Sequence, residues 1–274
     1  MLSLSLEDWL SLMQQQVMLF FSHTILFVTL ISVLYMLQRG VFALTSQIAG
    51  GRVIYLSAWI GAPVHELSHA ICCLLFRHKI ERIVLFNPDH RGTLGYVSHS
   101  YNNHNPWQVM GNFFIAIAPL LGGLFALYVM TVLLLVNAPA LFHLLSISVF
   151  ESRESLGVTQ LVTFGEQFIK VIMQAYFISP VRLLLWAYCC AAISLHLSPS
   201  KEDLKGVWGG LLLFLMLCLL LMMIHQLMAW PLFFDVKAML NVSSMLYVIG
   251  IILAGLLLLF LLLCRSVFFI FSHR

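Results

Sequence analysis

The chain has 274 residues, of which 61% are hydrophobic and 9% charged, and its mean hydropathy is +0.98; these values belong to a polytopic membrane protein and exclude a soluble globular fold. The formal net charge of +3 is small and spread over loops, which argues against nucleic acid as a partner. All six cysteines (Cys72, Cys73, Cys189, Cys190, Cys218, Cys264) fall within apolar runs, where they act as small hydrophobes, so no disulfide framework is expected.

In chain order, the apolar residues Leu4, Leu6, Trp9, Leu10 and Met13 suit a short interfacial helix ahead of the first span. About six runs are then long enough to cross roughly 30 Å of hydrocarbon as helices: 17–37, 53–76, 107–136, 181–197, 207–234 and 239–264. The first is too long for a signal-peptide core and lacks a basic leader, so it is expected to remain as an anchor. The expected fold class is an all-α polytopic membrane protein with a short β-hairpin between the second and third spans. The chain reads as one membrane domain over 1–274: an N-terminal part (1–52), a core (53–210) and C-terminal packing helices (211–274).

The second run carries Val64-His65-Glu66-Leu67-Ser68-His69. Histidines four apart on a helix stand one turn apart on the same face, so His65 and His69 can converge on one metal ion, with Glu66 beside them. This HExxH spacing is that of zinc hydrolases, in which zinc takes two imidazoles and a third ligand and keeps one position open for water. Glu66 is the only acidic residue inside any of the apolar runs, and an ionisable group at that depth costs about 2.5–3.5 kcal/mol, so such residues usually carry function.

Two β-prone segments, 80–86 and 93–101, flank an Asn-Pro and Gly turn and read as the hairpin. His90, His99 and His104 repeat no metal-ligand spacing and read as loop or interfacial residues. In the third run, Asn112 near the helix start is placed to steady a ligand or substrate. The segment 137–180 is the longest outside the membrane and is too short for an inserted independent domain; amphipathic interfacial helices are expected there, with Phe142, Phe150, Phe164 and Phe168 as anchors.

After the fourth run the sequence Ser194-Leu-His196-Leu-Ser-Pro199-Ser-Lys-Glu-Asp203 breaks the helix, because Pro199 lacks an N–H and disfavours helix at Ser198. Non-helical backbone at membrane depth requires a cover of protein or a water-filled cavity, which suits a third ligand from His196, Glu202 or Asp203. The alternative is that Ser198 or Ser200 caps the next helix, with Glu202 or Asp203 completing a capping box. Lys and Arg distribute unequally: Arg77, Lys79, Arg82, Arg91, Lys201, Lys205, Arg265 and Arg274 fall on one side, which is read as cytoplasmic with both termini inside. The short loops suit a bacterial plasma membrane.

Between about 53 and 210 these features resemble the site-2 protease family of intramembrane zinc metalloproteases. HELSH matches that family's metal helix in full. Ala116-Ile-Ala118-Pro119-Leu-Leu-Gly122 resembles its Ala-Gly-Pro-x-x-Asn helix but lacks the Gly before proline and has Gly122 in place of Asn. His196 and Pro199 resemble its Asn-x-x-Pro break, and Asp203 comes one residue early, with no Gly after it. The resemblance implies His65 and His69 as zinc ligands, Glu66 as general base, Asp203 as third ligand with His196 as its rival, one Zn2+ per chain, and hydrolysis of a peptide bond in a membrane-embedded protein substrate. A hairpin beside such a site would present an unwound substrate segment to the water through Tyr96 and Val97. A non-proteolytic metal-binding carrier or regulator, and a prenyl-protein protease of the CaaX type, are the alternatives.

Overall fold

The computed structural model describes residues 6–88, 94–146, 158–200, 202–228 and 236–272. These form eight α-helices and one two-stranded antiparallel sheet: α1 (Leu6–Ala49), α2 (Tyr55–Leu75), β1 (Lys79–Val84), β2 (Tyr96–Ser100), α3 (Pro106–Leu134), α4 (Ala138–Ser146), α5 (Val158–Ile178), α6 (Pro180–Ser194), α7 (Val207–Met228) and α8 (Val236–Ser272). Among the described residues, three helical segments are long and apolar enough to cross a membrane, Val28–Ala49, Pro106–Leu134 and Val242–Ser266; Pro180–Ser194 and the Val207–Leu217 part of α7 are shorter apolar stretches.

The separate interfacial helix expected ahead of the first span is absent from residue 6 onward, because α1 is one continuous helix of 44 residues. No proline or glycine interrupts residues 6–39, so nothing in the backbone stops the helix there. Its apolar part continues through Val28–Ala49, past the expected end at Leu37. Arg39 is absorbed within it by folding back on Tyr35, donating to the phenol oxygen at 3.0 Å with its guanidinium over the ring. The helix ends at Gly50, whose φ of 83° suits glycine, and a 3₁₀ turn at Gly51–Ile54 leads into α2.

The hairpin forms where it is expected. Lys79 pairs with Ser100 and Val84 with Tyr96, and a bulge interrupts the register between Ile80 and Arg82. Its turn, with His90, lies outside the described residues. Helix α3 starts at a strong signal: the Asn105 side chain accepts from the Trp107 and Gln108 N–H groups and Pro106 opens the first turn.

Helix α2 packs between α3 and α6, while α8 covers α1 and α6. The core gathers Leu34, Leu127, Leu141, Leu145, Trp186, Ile193, Tyr247 and Ile249. Two chains of hydrogen bonds pair polar groups in this apolar setting: Trp186 Nε1 donates to Thr131 Oγ1, which donates to the Leu127 carbonyl, and Trp59 Nε1 donates to Tyr188, which donates to the Leu56 carbonyl. Gly122 brings α3 against α2, since a Cβ there would lie 2.7 Å from Ser68 Cβ. Phe142, Phe164 and Phe168, expected as interface anchors, pack on the core, with Phe142 stacked on Tyr128 and Phe164 on Phe168. Phe150 lies outside the described residues.

Candidate metal centre

Helix α2 sets His65 and His69 one turn apart, and their rings meet edge to face with centroids 4.9 Å apart and Nε2 atoms 3.2 Å apart. His69 is 5% exposed and Glu66, between them, 8%. Asp203 reaches both from the segment between α6 and α7, with Oδ2 3.4 Å from His65 Nε2 and Oδ1 3.3 Å from His69 Nε2. These three side chains form a group whose donor atoms all lie within 4.8 Å of one another.

The outer nitrogens of the two rings fix what the inner ones can do. His65 Nδ1 lies 2.7 Å from the His196 carbonyl and His69 Nδ1 2.8 Å from the Ile115 carbonyl. A carbonyl oxygen only accepts, so each Nδ1 carries the proton and each Nε2 presents a lone pair. Two lone pairs and a carboxylate then face one another, which is a repulsive arrangement unless positive charge lies between them. Ligand atoms about 2.0–2.1 Å from a tetrahedral zinc stand about 3.3–3.4 Å apart; the two Nε2 atoms, 3.2 Å apart, are close to that spacing, and each has one oxygen of the Asp203 carboxylate 3.3–3.4 Å away. The donor set therefore fits a zinc ion, and the carbonyls behind the rings are the outer partners that orient metal-binding histidines.

Two prolines free those carbonyls. In a regular helix the Ile115 carbonyl would accept from the N–H of residue 119, but Pro119 has none. The oxygen is left to His69. At the end of α6 the His196 carbonyl would accept from Ser200 N–H in a continued helix or from residue 199 in a 3₁₀ turn. Pro199 has no N–H, and Ser200 N–H goes instead to Asp203 Oδ2 at 2.6 Å. That bond is half of a reciprocal pair, because Asp203 N–H returns to Ser200 Oγ at 3.2 Å. Ser200 does not cap the next helix, as one reading of the sequence expected, because α7 starts at Val207; the reciprocal pair closes a turn that aims the Asp203 carboxylate.

His196, the rival ligand, is turned away. Its Nε2 lies 3.2 Å from Ser57 Oγ and its ring packs on Phe42. Its contribution to the centre is the backbone oxygen.

A cavity of about 510 Å³ opens on the cluster, lined by His65, Glu66, His69 and Asp203 together with Asn112, Tyr96 and Val97. The hairpin forms one wall. Gly95 permits the approach, since a Cβ there would lie 2.8 Å from Glu66 Cγ and 2.6 Å from the Val84 carbonyl. Gln38 also lines the cavity, its Oε1 buried without a hydrogen-bond partner among the described residues. The sequence signal for Gln38 is a polar residue closing an apolar run, too common to single it out.

No family model matches the chain, and no curated protein or solved structure matches it either.

Proposed function

We propose that this chain is an intramembrane zinc metalloprotease of the site-2 type, hydrolysing a peptide bond of a membrane-embedded protein. The convergence of His65, His69 and Asp203 beside Glu66, on a cavity walled by a hairpin, carries this reading. Zinc, when bound, supplies a Lewis acid and a water of lowered pKa. His65 and His69 hold it through Nε2, kept in register by the Ile115 and His196 carbonyls, and Asp203 is the third ligand. Glu66 takes a proton from the water as its oxygen adds to the substrate carbonyl carbon, then delivers that proton to the amine as the C–N bond breaks. Tyr96 and Val97 on the hairpin hold an unwound stretch of substrate in extended form, and Asn112 and the free Gln38 Oε1 bind its backbone.

The membrane arrangement proposed has six spans, with α2, α6 and α7 added to the three long apolar segments, in a plasma membrane and with the α2–β1 side cytoplasmic. Helix α6, of 15 residues, rises only about 22 Å at ~1.5 Å per residue, short of the ~30 Å hydrocarbon thickness. The non-helical stretch after it thus lies within the membrane, covered by α2 and α3 and open to the cavity.

Reconstituted with a panel of single-span membrane peptides, the zinc-loaded chain is expected to cut within or at the edge of the apolar stretch. Glu66→Gln should lower the rate by about 10²–10⁴-fold, the usual contribution of general acid–base catalysis, while zinc stays bound. Equal turnover by Glu66→Gln would refute the mechanism, and cleavage confined to lipidated C-termini would move the chain to the CaaX type.

A further inference from the structure

We propose a second metal site, formed by Cys73, His78 and His99, that takes a zinc ion and ties the hairpin to the end of α2. It uses residues distinct from those of the proposed catalytic centre and stands or falls separately.

The site arises from how α2 ends. Arg77 adopts φ 57°, a left-handed conformation that residues other than glycine rarely take. It closes a Schellman motif, in which Arg77 N–H bonds the Leu74 carbonyl at 3.1 Å and His78 N–H reaches back to the Cys73 carbonyl at 2.8 Å. In such motifs the side chains at those last two positions meet. Here they are a thiol and an imidazole rather than two hydrophobes. Cys73 is 0% exposed and His78 4%.

The hairpin brings the third donor. His99 on β2 pairs with Ile80 on β1, and its Nδ1 lies 3.0 Å from His78 Nδ1. The thiol and both imidazoles offer donor atoms that all lie within 4.8 Å of one another. His78 is held in one tautomer and one plane: its Nε2 donates to the Gln108 carbonyl at 2.7 Å, and Tyr101 stacks on its ring. Its Nδ1 therefore presents a lone pair to Cys73 and His99. This is the same device seen at His65 and His69, an outer ring nitrogen fixed on a backbone oxygen.

One sulfur and two imidazole nitrogens are ligands zinc takes, and a water can complete the tetrahedron. His99 also lines the cavity, which supplies access. Binding converts the buried thiol to thiolate, so each ion bound displaces one proton from Cys73 Sγ. The ion would span α2, the turn after it and β2, holding the cavity-facing strand in place.

The test is a cobalt(II) titration of the full-length, detergent-solubilised chain carrying His65→Ala and His69→Ala, which disables the first centre. About one cobalt per chain should bind and give the near-ultraviolet band of sulfur-to-cobalt charge transfer. Adding Cys73→Ser should abolish the band, and adding Cys72→Ser should leave it. Because Cys73 is fully buried, His99→Ala, on the half-buried strand, is the second arm and should weaken cobalt binding tenfold or more. Absence of the band in the His65→Ala/His69→Ala chain, its survival in Cys73→Ser, or unchanged affinity in His99→Ala would each overturn the proposal. Loss of zinc from the first centre alone would leave this result untouched.

Discussion

At the scale of single residues, backbone oxygens govern the candidate centre as much as side chains do. Pro119 matters for what it lacks. Pro119→Ala would give the Ile115 carbonyl a helical N–H, in competition with His69 Nδ1. Loss of such an outer partner typically costs 10–100-fold (roughly) in metal affinity, so Pro119→Ala should weaken zinc binding about tenfold at unchanged helix content, read by competition with a chelator. Unchanged affinity would mean that the His69–Ile115 bond does not orient the ring. The pairing of His65 with His69 was legible from spacing alone. The acceptors behind them were not, because a carbonyl has no letter of its own and its only trace is a proline three or four residues on. His78 was hidden for a related reason: a left-handed helix cap is usually marked by glycine, and here Arg77 fills that place.

At the scale of elements, α2 works because α3 and the hairpin come unusually near it. Gly122→Val should destabilise the fold by about 1–3 kcal/mol, the usual penalty of overpacking, since the new side chain would meet Ser68 directly beside His69. Thermal unfolding in detergent measures this, and a stability equal to that of the unaltered chain would mean that the α2–α3 contact can relax. On β2, Val97→Pro removes one N–H from the strand and should abolish peptide cleavage while zinc content is kept, if the strand presents substrate. Cleavage at the original rate would refute that role. The hairpin was readable from its β-prone segments, and the α6 break from Pro199. The unbroken length of α1 was not, because a polar patch at Gln38-Arg39 mimics a helix end when side-chain pairing such as Arg39 with Tyr35 is invisible.

At the scale of the whole molecule, composition indicated a membrane protein at once, and the helices Val28–Ala49, Pro106–Leu134 and Val242–Ser266 suit that class. α2, which carries His65, Glu66 and His69, is not among those three segments, and α6 stops short, so that Asp203 can turn back. If six spans hold in the proposed orientation, single cysteines placed in the β-hairpin and in the 202–206 turn should label from the same face of sealed vesicles, and one at Asn137 from the opposite face. Labelling of all three from one face would contradict the arrangement. The account rests most directly on the metal content of the detergent-purified chain. The unaltered protein should lose about one zinc per chain in His65→Ala and in Asp203→Ala, and none in His196→Ala, where the backbone carbonyl remains. Zinc content unchanged by His65→Ala and Asp203→Ala would contradict it.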